Sequence, residues 1–374
     1  IKLKQLSPEK NICIIEKGAT VGSHILSGAV LESTALTELI PDWKTQGAPV
    51  HTPVSAEKFL FLRKKNHINI PHWILPKELT NKGNHIISLS QLCVWLGEHA
   101  ERLGVDIFPA TAAKKILFDN NNCVIGIQTG ELGLSKNNEP KSNHTPGFNI
   151  YAKHTLLAEG CRGFLTEQVI KHYQLRQNKS VQSYGLGVKE LWEVDPSQHK
   201  PGLVQHTAGW PLDSNTYGGS FIYHMDNNKV AVGFVTALDY RNPYLNPFNE
   251  MQRFKLHPTI SPLFKDARRL CFGARALNEG GLQALPKLVF PGGALLGCAA
   301  GMLNVAKIKG IHNAIRSGIL AAQCLAHSEP GLTQYESLLR ASSIYRELKQ
   351  SRNFRQYFRL GLTSGTLLAG IDLK

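Results

Sequence analysis

The residues here that could do chemistry are binding residues set at the ends of short strands. Asn11-Ile12-Cys13-Ile14-Ile15 is an apolar run closed by Glu16. In a dinucleotide-binding βαβ unit, an acid at the end of the second strand takes the ribose hydroxyls, about 20 residues after a GxGxxG loop. Counting back from Glu16 puts that loop at or before residue 1, outside this sequence. Standing alone, the same run also fits an ordinary strand with a solvated acid at its edge. Gly22-Ser23-His24-Ile25-Leu26-Ser27-Gly28-Ala29 is a loop of small residues, suited to close approach by a flat ligand. A second apolar strand, His154 to Gly160, ends in Ala158-Glu159-Gly160-Cys161.

The elements that must position these residues alternate between helix and strand. The spacing predicts a helix from Ser88, its cap, to Gly104, its stop, with Leu89, Leu92, Leu96, Ala100 and Leu103 on the buried face. Val105 to Phe108 reads as a strand, and Lys115 to Phe118 with Val124 to Gln128 as a hairpin around the Asn run at 120–122. From about 176 to 275 the chain becomes rich in strands, Gly and Pro, with runs at Ser183 to Val188, Ser220 to His224 and Val230 to Val235. This reads as a β-rich second domain inserted into the first. The first domain resumes near Lys287 with the strand Leu288-Val289-Phe290, then Leu295 to Gly301. A helix follows from about Ile308 to Ala326, with Ile311, Ile315, Ile319 and Ala322 on one face. The class is α/β with α+β character, a three-layer domain carrying an insertion.

Composition narrows the partners. The 374 residues suggest two or three packed units, and the formal net charge of +14 points to nucleic acid, an anionic membrane face or an acidic protein. Nucleic acid is set aside: there is no zinc-finger spacing, no basic helix with heptads and no basic-aromatic RNA motif. The seven cysteines contain no CxxC pair, so neither a zinc ribbon nor an iron-sulfur site is encoded. Scattered on apolar segments, they are expected to be reduced core thiols in a reducing compartment. No apolar stretch reaches the length needed to span a bilayer.

Two segments have the composition of a lipid-facing surface. Phe59-Leu60-Phe61-Leu62 and Ile68 to Leu75 are apolar arms joined by Arg63-Lys64-Lys65-Asn66; the alternative is a core hairpin with a solvated tip. Near the C-terminus, Lys349, Arg352, Arg355 and Arg359 fall on one face of a helix, with Phe354, Tyr357 and Phe358 roughly opposite. An amphipathic helix lying in the interface is expected from about 351 to 371, or else a surface that docks another domain.

The ordered strings resemble one family across almost the whole chain. GSHILSGA from Gly22, PDWKTQGAPV from Pro41, LLAEGC from Leu156, GWPLDSNTYGGSF from Gly209, LDYRNPYLNPF from Leu238, GARALNEGG from Gly273 and PKLVFPGG from Pro286 carry the resemblance, followed by the KIKG that ends at Gly310. The family is electron transfer flavoprotein-ubiquinone oxidoreductase. The resemblance implies an FAD-binding three-layer flavoprotein domain of the glutathione-reductase type (1–45, 85–175 and 276–330, discontinuous). It implies an inserted ubiquinone-binding domain (46–84 and 176–275, with a membrane-dipping hairpin near 59–84) and a C-terminal amphipathic membrane-surface helix (331–374). It further implies electrons arriving from electron transfer flavoprotein and leaving on ubiquinone, at a bacterial plasma membrane or the mitochondrial inner membrane. The family's four-iron four-sulfur cluster has no ligands in this sequence.

Residue by residue, Glu16 is the expected ribose ligand, and Gly22, Ser27 and Gly28 line the flavin. Glu159 and Gly160 lie near the adenosine half. Gly297 and Gly301 frame the turn before the helix at 308, whose dipole favours the anionic part of the cofactor. Gly218 and Gly219 match the pair whose backbone meets the quinone headgroup; adjacent glycines leave N–H and C=O groups uncovered. No catalytic acid-base pair is required, because the cofactor carries the electron chemistry. Where the family reads GCSPGFMNVPKIKGTH, this chain has Ala300 and Ala306 at prolines and Ile311 at the threonine. Two other readings stand beside this one. A reductase of the geranylgeranyl reductase type shares the flavin fold but lacks the TYGG and ALNEGG strings. An inactive remnant of the oxidoreductase is the reading the missing glycine motif favours if the chain is complete as expressed.

Overall fold

The two-residue period of the strand Lys229–Ala237, apolar on both faces, sends Val230, Val232 and Phe234 to one face of a sheet and Ala231 to the other. In the computed structural model, which describes residues 1–326 and 331–373, this strand lies inside a seven-stranded sheet. The strand order is Arg268–Asn278, Tyr184–Glu193, Lys229–Ala237, Gly218–His224, Leu203–Gly209, Ala56–Leu62 and His67–Asn69. All neighbours are antiparallel except Leu203–Gly209 with Ala56–Leu62, which run parallel. The last strand of this group, Arg268–Asn278, passes residues 275 and 276 without a break. One face is covered by the helix Pro247–Lys255, whose start is fixed by Asn246 accepting from the N–H groups of Phe248 and Asn249 and by Pro247 in the first turn. Phe254 and Met251 of that helix are fully buried against Phe234, Val232 and Leu62, and burial of each such side chain contributes about 1.5–3 kcal/mol.

The opposite face meets a small sheet, Ala29–Leu31 with His85–Ile87 and Thr52–Pro53. Val30 and Ile86 pack there on Val204, Tyr223 and Ala231. Parallel pairing appears in two further places: Cys13–Ile15 with Asp106–Phe108, and Thr155–Leu157 with Gly293–Leu295. The helix Ile311–Ala326 packs with these last strands and with Phe164–His172 in the largest core. The hairpin of Ala113–Phe118 and Val124–Thr129 forms as expected, joined by a third strand, Asn149–Tyr151.

Several expectations change. The helix Leu89–Arg102 has the Ser88 cap, but Trp95 joins Leu92 and Ala100 as its buried residues. The helix placed from 308 starts at Ile311, because Asn304 and Lys309 bridge and Ile308 takes a positive φ. The arm Phe59 to Leu62 is an inner strand, with Leu60 and Leu62 buried; the exposed apolar residues are Ile68, Trp73 and Ile74. The C-terminal segment is not one amphipathic helix. Tyr335–Ala341 and Ser343–Gln350 contribute Leu339, Ile344 and Leu348 to the core, then Phe354–Tyr357 and Leu362–Asp372 are separated at Gly361. Arg355, expected on a solvated basic face, is only 6% exposed, because two carboxylates hold it inside. All seven thiols are free, yet only Cys324 is buried, while Cys13 and Cys271 are exposed. Among the described residues no helix is long and apolar enough to cross a membrane.

Candidate functional site

Glu16 follows the strand Cys13–Ile15, and its carboxylate accepts from the N–H of Gly18. A methyl group on Gly18 would strike both Glu16 and Ser23, so the acid lies against the start of the small-residue loop. In that loop Gly22 and Gly28 both have positive φ. A side chain at Gly22 would run into the carbonyl of Ser90, and one at Gly28 into Ala231 of the large sheet. Only glycine lets this loop lie flat on both units. Ser27 Oγ is 2.7 Å from Ser88 Oγ and 2.6 Å from Ser90 Oγ, which pins the loop to the start of the helix Leu89–Arg102. An open groove of about 400 Å³ runs beside it, bordered by Gly22, Ser23, Ser90 and Glu98.

Sequence reasoning missed Lys189. From the strand Tyr184–Glu193 its ammonium donates to the carbonyls of Leu26, at 3.3 Å, and Gly28, at 2.8 Å. Burial pushes its pKa down to about 8. The signal available was the one lysine of the strand Tyr184–Glu193. Arg275, another residue not singled out, donates to the carbonyl of His24 at 3.3 Å and flanks Gly160.

Gly160 and Gly301 come to the same end of the large sheet. Asn278 Nδ2 donates to the carbonyl of Cys161 at 3.1 Å, and Gly301 lies against Gln182 and Asn278. Gly297 and Gly301 flank the short helix Gly297–Ala300, and the N–H of Gly297 donates to Ser317 Oγ at 3.0 Å. Buried polar atoms gather around this turn. Asn278 Oδ1, Asn304 Nδ2 and Asn313 Oδ1 have no hydrogen-bond partner among the described residues. Glu159 has a different occupation: its carboxylate accepts from the N–H groups of Leu165, at 3.2 Å, and Thr166, at 2.6 Å, and from Thr166 Oγ1 at 2.7 Å. It thereby caps the helix Phe164–His172.

Gly218 and Gly219 lie at the start of the strand Gly218–His224. They pair with Thr236 and Val235, whereas the ladder to Leu203–Gly209 stops at Thr207 and Ser220. Any side chain at Gly218 would meet the carbonyl of Val235, and at Gly219 that of Thr207. A bridge joins the two regions: Glu279, at the end of Arg268–Asn278, abuts Gly185, and the next residue, Gly280, donates to Gln182 Oε1 at 2.7 Å. Elsewhere, one ligand atom from each of Glu32, His312 and Glu347 lies within 4.8 Å of the others, but the ammonium of Lys307 already bonds both carboxylates there.

The family model described as "ETF-QO, ubiquinone-binding" matches residues 184–277, the stretch from Tyr184 through most of Arg268–Asn278. The chain is 49% identical over 381 residues to the mitochondrial electron transfer flavoprotein-ubiquinone oxidoreductase of Arabidopsis thaliana, with all of the chain and 59% of the relative covered. It is 50% identical over 362 residues to the Pseudomonas aeruginosa protein of that name, covering 94% of the chain and 66% of the relative. It thus spans roughly three fifths to two thirds of the length of these relatives. Among solved structures it is similar to a geranylgeranyl bacteriochlorophyll reductase-like protein from Thermoplasma acidophilum, at TM-score 0.67 and 17% identity over 98% of the chain and 91% of the other. A flavin-dependent brominase gives TM-score 0.66 at 15% identity, covering 100% of the chain and 90% of the other. At such identities the likeness is one of fold, that of the flavoproteins. With half the residues identical to the named relatives along nearly its whole length, the chain belongs to the electron transfer flavoprotein-ubiquinone oxidoreductase family.

Proposed function

We propose that this protein accepts electrons from reduced electron transfer flavoprotein and delivers them, through FAD, to ubiquinone at the surface of a bacterial plasma or mitochondrial inner membrane. One observation carries the reading: the ubiquinone-binding family match falls on the strands that hold Tyr217-Gly218-Gly219.

The residues around Gly22, Gly28, Gly160, Gly297 and Gly301 fit FAD. Three buried amide atoms at the Gly297–Lys309 turn are unpartnered among the described residues, and polar ring edges of a flavin would satisfy them. When bound, FAD supplies the electron-carrying chemistry. Glu16 holds the ribose hydroxyls, and Gly22, Ser27 and Gly28 let the ring approach the backbone. Lys189 keeps that loop in place by its two carbonyl contacts. Gly160 stands near the adenosine half, with Glu159 fixing the helix beside it. Gly297 and Gly301 close the other side. Gly218 and Gly219 offer backbone groups to the quinone carbonyls from the side where their ladder has ended.

The exposed Trp73 and Ile74 lie on the segment following the edge strand His67–Asn69 and make the membrane contact. The test is a turnover assay on the full-length FAD-loaded protein, with reduced electron transfer flavoprotein as donor and a short-chain ubiquinone as acceptor. Sustained flavin-dependent quinone reduction is expected; a rate equal to that without the protein overturns the reading.

A further inference from the structure

One guanidinium joins the C-terminal segment to three strand ends of the large sheet. Arg355 Nε donates to Glu279 Oε2 at 3.1 Å and Nη2 to Asp239 Oδ1 at 2.7 Å. Its guanidinium carbon lies 4.3 Å from the centroid of the Tyr217 ring. Glu279 follows the strand Arg268–Asn278, Asp239 follows Lys229–Ala237, and Tyr217 precedes Gly218–His224. Phe358, one turn beyond Arg355, packs against the same tyrosine with its ring tilted, at 5.0 Å between centroids, and the N–H of Leu362 donates to the carbonyl of Ser214 at 2.7 Å.

We propose that Arg355 is a positioning residue for quinone binding: by gripping Tyr217 against Asp239 and Glu279, it sets where the backbone of Gly218 and Gly219 lies. The proposal rests on the reading that these glycines face the quinone headgroup. Glycines have no side chains with which to anchor themselves. One edge of this pair is held by the ladder to Thr236 and Val235, while the other ladder stops at Thr207 and Ser220. The remaining hold is the residue before them: the Tyr217 carbonyl accepts from the N–H of Ala237 at 2.9 Å, and its ring is held by Arg355 and Phe358. Arginine is required because its planar fork reaches two carboxylates while its face lies on a ring, and a lysine ammonium does not combine the three. Burial of Glu279 raises its pKa against the opposing pull of Arg355, so removing the arginine shifts this acid further toward its neutral form.

The experiment uses the full-length FAD-loaded protein, with Arg355→Lys and Arg355→Met. Steady-state rates are measured with a short-chain ubiquinone and with ferricyanide, alongside flavin content. Arg355→Lys is expected to raise KM for the quinone about tenfold, with ferricyanide turnover within about twofold and flavin content unchanged. Arg355→Met follows in the same direction if it folds; if it does not, the lysine variant decides. An unchanged quinone KM in Arg355→Lys overturns the proposal, and so does an equal fall in both activities, which marks a merely structural ion pair. Crosslinking of a photoreactive quinone to the wild-type protein separates the two levels. Labels outside residues 210–224 overturn the glycine assignment itself. Labels within that stretch, with an unchanged KM, overturn Arg355 alone.

Discussion

Lys307 Nζ lies 3.1 Å from Glu347 Oε1, and this contact ties the helix Ser343–Gln350 to the loop that follows Gly301. The same ammonium reaches Glu32 at 3.1 Å, and His312 Nε2 is 2.9 Å from the other oxygen of Glu347. Burial alone would raise the Glu347 pKa; the His312 hydrogen bond and the charges of His312 and Lys307 bring it down to about 2. A carboxylate with a lowered folded pKa contributes stability that is fully present above its ordinary value and lost as pH falls toward the folded one. Glu347→Gln should therefore cost about 1–3 kcal/mol at neutral pH. It should also flatten the loss of stability between the ordinary carboxylate pKa and about pH 2. Urea unfolding of both proteins across that range checks this, and parallel pH profiles would refute it.

Lys189 gives the same sign of pH dependence in an alkaline window. Burial lowers its pKa to about 8, so between that value and the ordinary lysine range the unfolded chain binds more protons. The stability of the wild type relative to Lys189→Met should rise as pH climbs through that window. At neutral pH the variant also loses the two bonds to Leu26 and Gly28. A loosened loop should weaken FAD binding by about tenfold, equivalent to about 1.4 kcal/mol. Flavin titration of the apoprotein measures this, and unchanged affinity would show that the loop does not depend on the lysine.

Glu159 is predicted to act through a helix terminus. Removing its carboxylate in Glu159→Ala frees the N–H groups of Leu165 and Thr166 and should destabilise the protein by about 1–2 kcal/mol. Glu159→Gln keeps one oxygen acceptor and should lose about half as much. Equal stability of the alanine variant and the wild type in urea would exclude the capping role.

Lipid contact is predicted to depend on Trp73 and Ile74, which are 80% and 44% exposed. Burial of each methylene contributes about 0.8 kcal/mol, and this part is insensitive to salt. Replacing both residues by Ser should remove the salt-resistant fraction that sediments with anionic vesicles. Replacing Phe358 should instead lower thermal stability, because its ring packs on Tyr217 and Phe354. Sedimentation of the Trp73, Ile74 double variant at wild-type level in high salt would dismiss this surface.

Much of the molecule was legible as local pattern. The Ser88 cap, the hairpin around Asn120 to Asn122 and the strands near 184, 220 and 230 follow from periodicity and turn chemistry, which act over a few residues. The ordered strings around Gly22, Gly218 and Gly273 carried the family, because long matches in order do not need coordinates.

What only the tertiary structure decided are the pairings between residues far apart in sequence. Helical spacing placed Arg355 among solvated cations, but Asp239 and Glu279, brought in by two different strands, draw it inside. Phe59 to Leu62 looked like a membrane arm, yet parallel pairing with Leu203–Gly209 makes it an inner strand. Glu159 was expected near the adenosine half of a cofactor, and the folded chain adds a partner for its carboxylate, the start of a helix a few residues later. The partners of Lys189 could not be read locally, since they are carbonyls of a loop more than a hundred residues earlier. Period and propensity report the environment a segment makes for itself. The state of a buried charge depends on which distant groups arrive to meet it, and only the folded chain contains that information.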